Sequence, residues 1–467
     1  MSRTSAACRT GLKARAIKGK PPEGGSKTSS IDRGLQPSLE GLSFVARVFR
    51  PVRRPAVAIS LISLAFAGCQ RTGPADDDLP EVAKEKGGEV YLNPQECVES
   101  FDPSRDYFPE KIEFRYAEQI EVEYFSHYKV VTIKKPWTGA DQGERNLLLL
   151  CGTPRPPGWE DVEVLEIPAR TLVTTSTTEL PHLVRLGLVD RLVGHDELDW
   201  VTSPEIRRRI DAGELLEVGG GPGLNVELVL QAAPDLLLSD SLGDPEVDLL
   251  GKLREAQVPV ALAPSFLETS PLGRAEWIQH TALFFDRERR AEEVFSAVAE
   301  RYEELAARVR RALTDDPGRH RPTVVTNGPI GDTWWTPGGR SYLALLVADA
   351  GGDYLWSGEP STGSIPLDLE SVYEQAVDAE VWIQPGGWRS LEEIRAVDTR
   401  LADFAAFRER RVYNYDRRLT ELGGNDYWEN GTARPDQVLA DLVHILHPDL
   451  LPEHELIFHR RLPERDS

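Results

Sequence analysis

Apolar residues recur along this chain with two periods. Runs with nothing polar in them, such as Leu236-Leu237-Leu238 and Val381-Trp382-Ile383, alternate with stretches whose apolar side chains return every three or four residues. The first pattern suits a strand buried on both faces of a parallel sheet, and the second suits a helix laid over it. The expected fold is therefore α/β and doubly wound. One such step occurs twice: Val226-Glu227-x-Val229 leads to Ala233, Asp235 and the Leu run, and Leu369-Glu370-x-Val372 leads to Ala376, Asp378 and the Val381 run. In both, a Glu stands eight residues before an Asp. The repetition predicts two similar lobes, each showing one exposed Glu at a matching place.

Between the copies, Arg287–Leu313 keeps an unbroken helical period (Val294, Phe295, Val298, Tyr302, Leu305, Ala306, Val309), with charges on the opposite face. A helix of this extent is roughly 40 Å long. It is expected to occupy 286–315 and to join a lobe at 162–285 to a lobe at 316–467. Ahead of the first lobe, Ile120–Phe125, Lys129–Lys134 and Leu147–Leu150 read as strands of a small β appendage within 69–161. Val162–Ile167 then reads as the strand that opens the lobe.

These residues resemble the substrate-binding proteins of iron-siderophore and cobalamin ABC importers, the periplasmic-binding class with a rigid interlobe helix. The resemblance spans roughly Glu163 to Leu462. It rests on Thr171–Thr178 with Leu192-Val193-Gly194, on Asn225–Val229 with Ala233-Pro234-Asp235, on Pro337–Tyr342 through Asp349, and on Leu367–Val372. It implies capture of a metal chelate, a ferric siderophore foremost, between the lobes and delivery to an ABC permease dimer with its ATPase. Cobalamin or haem is the alternative ligand. It also implies that Glu227 and Glu370 dock into arginine pockets on that permease. A long helix in place of flexible crossing strands predicts lobe closure by a few degrees of rocking.

The amino terminus supplies a compartment. Arg53-Arg54-Pro55 precedes the apolar run Ala56–Ala67, which ends at Phe66-Ala67-Gly68-Cys69. A basic region, a short apolar core and small residues before a Cys make a lipoprotein signal peptide over 1–68 with lipid on Cys69. As a membrane span the run is too short for about 30 Å of hydrocarbon. The mature protein is thus expected in the periplasm or at the cell surface, held to the membrane by its lipid. Residues 1–68 carry 12 Lys+Arg against 3 Asp+Glu, a net of +9, so the whole-chain charge of −22 leaves −31 for the rest. That charge argues against nucleic acid as a partner. In an oxidising compartment the two remaining cysteines, Cys97 and Cys151, can form one disulfide.

The candidate binding residues lie on loops that follow strands. Thr175, Ser176 and Thr177 precede a helix start, where hydroxyls and free N–H groups cradle polar ligands or simply cap the helix. His195 and Trp200 follow Leu192–Gly194. In the second lobe, Trp334, Trp335 and Arg340 follow Thr323–Thr326, Trp388 and Arg389 follow Val381–Ile383, and Arg417 and Trp428 follow Val412. Rings stack on a flat chelate and guanidinium groups pair with its oxyanions. Two adjacent Trp on a Gly/Pro-rich loop cannot both enter the core, so at least one of Trp334 and Trp335 is expected to be exposed.

Catalytic chemistry is thin. There is no P-loop, no Gly-x-Ser-x-Gly elbow and no defensible pair of catalytic carboxylates, so no enzyme activity and no cofactor are expected. His195 beside Asp196 is the weak trace of an enzyme acting on a chelate or tetrapyrrole. His444, His447, His454 and His459 crowd the carboxyl end without a metal-ligand spacing and read as a structural tail, so no metal site is assigned.

Overall fold

The computed structural model describes residues 92–160, 162–220, 223–244 and 249–466. The leader, the signal peptide and Cys69 lie outside the described residues. The first sheet is a four-stranded appendage, β1 (Ile120–Tyr124), β2 (Tyr128–Ile133), β3 (Glu144–Leu150) and β4 (Glu163–Ile167), in the order β1-β2-β3-β4. The first three strands stand where the apolar alternation put them. β4 does not open the first lobe: it pairs in parallel with β3, Leu147 opposite Val164 and Leu150 opposite Ile167. The reason is visible in its side chains, since Leu165 and Ile167 are buried but Glu166 between them is exposed. A strand covered on one face suits an appendage and not the middle of a doubly wound sheet.

Lobe 1 starts at β5 (Leu172–Thr174), buried throughout, and continues with β6 (Leu192–His195), β7 (Leu216–Glu217), β8 (Leu236–Ser239) and β9 (Val260–Leu262). Their order is β7-β6-β5-β8-β9, all parallel. Lobe 2 contributes β10 (Thr323–Thr326), β11 (Pro329–Ile330), β12 (Thr333–Pro337), β13 (Asp353–Tyr354), β14 (Ser364–Asp368), β15 (Val381–Ile383), β16 (Val412–Asn414) and β17 (Arg460–Arg461). Its main sheet runs β13-β10-β15-β16-β17 with only β17 antiparallel, and β11-β12-β14 form a separate antiparallel sheet.

The helix between the lobes is Glu288–Asp315, 28 residues, burying Ala291, Val294, Phe295, Val298, Tyr302, Ala306 and Val309. This is the stripe its periodicity predicts. The carboxyl-terminal helix Pro435–Leu446 packs along it, and Arg301 meets Asp436 at 2.8 Å. Asp441 on that helix accepts from the backbone N–H groups of Ile457, Phe458 and His459 and meets the rings of His454 and His459. Those two histidines thereby tie down the tail.

The appendage is fastened to lobe 1 and to the start of the long helix by charge. Lys129 is fully buried, its ammonium bonded to Asp286 at 2.6 Å and also to Glu288. Burial disfavours that charge, but the two carboxylates outweigh it and hold the lysine pKa above its usual value. The Glu276 carboxylate accepts from the N–H groups of Arg115, Tyr116 and Ala117, and Glu268 accepts from those of Glu118 and Gln119. Cys97 and Cys151 are joined by a disulfide, with Cα atoms 4.7 Å apart.

Candidate functional site

Parallel strands send all their following loops to one edge of a sheet, and the two lobes present those edges to each other. Thr202 N and Ser203 N, beyond β6, donate to the Glu429 carboxylate of lobe 2 at 2.6 and 2.9 Å, and Thr202 Oγ1 donates to Asp426 at 2.7 Å. The Arg274 guanidinium of lobe 1 lies 4.3 Å from the centre of the Tyr342 ring of lobe 2. Gly424 approaches so closely that a Cβ there would stand 2.4 Å from the Trp200 carbonyl oxygen. Trp200 itself is half-buried at this seam.

On the lobe 1 edge, Thr175, Ser176 and Thr177 follow β5 and are half-buried. Thr175 Oγ1 donates to Ser239 Oγ at 3.0 Å, joining the ends of β5 and β8. Ser176 Oγ caps the next turn by accepting from Thr178 N, so this hydroxyl is capping, the alternative to cradling. Glu179 is 3 % exposed; its Oε1 accepts from Thr178 Oγ1 at 3.1 Å. His195 ends β6 and is 1 % exposed, with Nδ1 on Thr174 Oγ1 at 2.7 Å. Its Nε2 is buried without a hydrogen-bond partner, and burial lowers its pKa to about 4, so it is neutral at pH 7.

On the lobe 2 edge, Trp334 leaves the candidate set. It is fully buried, stacks on Trp382 at 5.6 Å and on Phe404 at 6.2 Å, and donates from its indole to Thr326 O. Adjacent residues of β12 point to opposite faces, so Trp335 is the half-exposed one. Trp388 is half-buried, set edge-on to Trp382 and above Gly328. Trp428 joins Tyr415 and Tyr427 in an aromatic group with ring centres 5.0 to 5.5 Å apart. Tyr427 Oη accepts from Gln384 Nε2 at 2.9 Å, and burial holds its phenol protonated far above neutral pH. Arg340, Arg389 and Arg417 are exposed; Arg389 lies 3.4 Å from Asp466.

Glu227 and Glu370 occupy matching places, each second in its helix. Asn225 caps Val226–Ala232 and Asp368 caps Leu369–Ala376. These helices run back to the starts of β8 and β15, so their amino ends lie on the strand-end side, the same side as the cleft loops. Both carboxylates are exposed; Glu370 pairs with Arg400 at 3.2 Å, and Glu227 has no ion pair among the described residues.

Sequence reasoning missed Glu179, Asp240, Arg274 and Tyr342. Glu179 and Asp240 directly follow the hydroxyl run and the Leu run of β8, a position signal that was available. Arg274 and Tyr342 carry none, because only the meeting of the lobes brings them together. A groove of about 540 Å³, lined by Glu166, Arg170, Leu230, Asp235 and Gln257 among others, lies at the opposite ends of the lobe 1 strands, between lobe and appendage.

Residues 172–419 match the profile of the family described as periplasmic binding protein. The chain is a member of that family. It is 23% identical to an uncharacterized lipoprotein of Methanocaldococcus jannaschii over 63% of this chain and 70% of that protein. A second uncharacterized lipoprotein of the same organism is 22% identical over 83% and 93%. Among solved structures, a periplasmic heme binding protein from Pseudomonas aeruginosa is similar at 21% identity, covering 64% of this chain and all of that one, with a TM-score of 0.48.

Proposed function

We propose that this protein is the lipid-anchored substrate-binding component of an ABC importer and that it captures a metal chelate, a ferric siderophore, between its lobes. The observation that carries this is the pairing of edges. Lobe 1 offers hydroxyls and acids beyond its strands, lobe 2 offers half-exposed rings and exposed guanidinium groups on its own loops, and one long helix joins the two. Trp335, Trp388 and Trp428 supply stacking surface, and Arg340, Arg389 and Arg417 supply charge for chelate oxygens. Glu227 and Glu370 would meet a permease dimer, one per subunit. Anchoring through Cys69 is supported by the Phe66-Ala67-Gly68-Cys69 run and by the naming of two relatives as lipoproteins.

Titration of intrinsic Trp fluorescence against catecholate and hydroxamate ferric chelates, cobalamin and haem tests the ligand. Saturable binding of a ferric chelate, with cobalamin and haem weaker, is the expected result. Tight binding of cobalamin or haem alone would replace the siderophore in this role, and silence across the panel would reject the chelate. For the anchor, Cys69→Ser should abolish acylation, seen as loss of the lipid mass from the expressed protein.

A further inference from the structure

The ends of β5 and β8 bring two acids together without a counter-charge. Thr175 Oγ1 bonds Ser239 Oγ, so Glu179, beyond one strand, and Asp240, beyond the other, lie within electrostatic reach. Glu179 is 3 % exposed, and its Oε2 is buried with no hydrogen-bond partner. Neither acid has an ion pair among the described residues. Other buried acids here are compensated: Asp286 and Glu288 by Lys129, Asp436 by Arg434 and Arg301, Glu276 by three backbone N–H groups. Burial pushes Asp240 up to about 7 and, with the Asp240 charge adding, Glu179 well above the carboxylate range. A partnerless buried oxygen is costly, and one retained where a turn of lobe 1 meets lobe 2 marks a place for an incoming donor.

We propose that Glu179 and Asp240 form the recognition point of lobe 1 for a protonated primary amine carried on the bound chelate. This rests on the chelate reading above. The ammonium supplies both the missing donor and the missing positive charge, and a protonated carboxyl of the pair releases its proton to solvent as the ammonium seats. Lobe 2 then holds the chelate body by ring and guanidinium contacts.

The test is calorimetric titration of the full chain with a linear ferric trihydroxamate ending in a free primary ammonium, beside its N-acetylated twin. At pH 8 the ammonium form should bind tighter by at least about tenfold, the scale of one charge-assisted hydrogen bond. Glu179→Gln and Asp240→Asn, each checked by thermal melting, should erase the preference, so that the twins bind alike. Should one variant fail to fold, the other carries the test. Equal binding of the twins, or a preference that survives both substitutions, would overturn the acid-pair assignment and leave the chelate reading standing. Binding of neither twin would overturn both.

Discussion

The two lobes share a skeleton and differ in what they hang on it. In each, the first strand is flanked by the second and by the strand that follows the Glu helix, with a fourth beyond: β6-β5-β8-β9 in lobe 1 and β13-β10-β15-β16 in lobe 2. Beyond that core, lobe 1 adds a parallel strand at one edge, whereas lobe 2 adds an antiparallel strand at the other and a second small sheet. The loops diverge further, with Thr175, Ser176, Glu179 and Asp240 on one side and Trp388, Arg389, Arg417 and Trp428 on the other. Apolar strands must pack and so keep their order, whereas loops at strand ends are freer to differ.

The matching tips give the hardest test of the symmetry. Glu227→Ala/Glu370→Ala should bind chelate and melt like wild type yet reduce cellular uptake to background. Isolated surface carboxylates contribute about 0–1 kcal/mol to folding but more when desolvated against arginines. Wild-type uptake by the double variant would remove the docking role from both lobes. Because Glu370 alone is paired, Arg400→Ala should leave uptake intact; its loss would make the pair, not the carboxylate, the docking element.

Among the described residues the appendage is fastened to lobe 1, and Lys129→Ala strikes the contact between them. Two carboxylates would be left buried without their cation, so unfolding should be easier by about 3–5 kcal/mol in urea titrations. A loss below about 1 kcal/mol would mean the appendage and lobe are not energetically coupled.

The Trp pair of lobe 2 separates packing from binding. Trp334→Ala should cost about 3–5 kcal/mol of stability and leave the affinity of the folded protein unchanged. Trp335→Ala and Trp388→Ala should instead weaken chelate binding by about 1–3 kcal/mol with little change in melting. Reversed outcomes would exchange the two roles.

The smallest effect concerns pH. Asp240 has a folded pKa near 7, above its ordinary 3.8, so its contribution to stability is fully present below 3.8 and is lost as pH rises through 7. Between about pH 5 and 8, wild type should lose melting temperature relative to Asp240→Asn. Parallel curves would show that the carboxyl is solvated.

Much of this architecture was legible because it rests on period. The stripe from Val294 to Val309 marked the long helix, the repeated Glu steps marked the tips, and alternation marked β1 to β3. The disulfide followed from compartment and count. What failed depends on partners distant in sequence. Which of two neighbouring Trp turns inward is decided by the pairing of β12 with β14, Trp334 opposite Leu367. β4 carried the alternation of a one-sided strand, but its place just before the lobe hid its allegiance. Nothing near Glu179 in the sequence marks it, because Asn430–Ala433, which pack against its turn, belong to lobe 2.

The fastening of the appendage also has a mechanical side. Gln95 Nε2 donates to Asp286 O at 2.9 Å, its Oε1 accepts from Arg287, and Cys97 is covalently bound to the end of β3. Tension along the preceding segment therefore enters the molecule at the first turn of the long helix, and Tyr116, bonded to Glu303 at 2.5 Å, carries it further along. Lobe 2 grips the same stretch of helix, through Arg301 and through Tyr302, whose hydroxyl donates to Asp349 at 2.6 Å. Appendage and lobe 2 thus meet on one turn of the long helix.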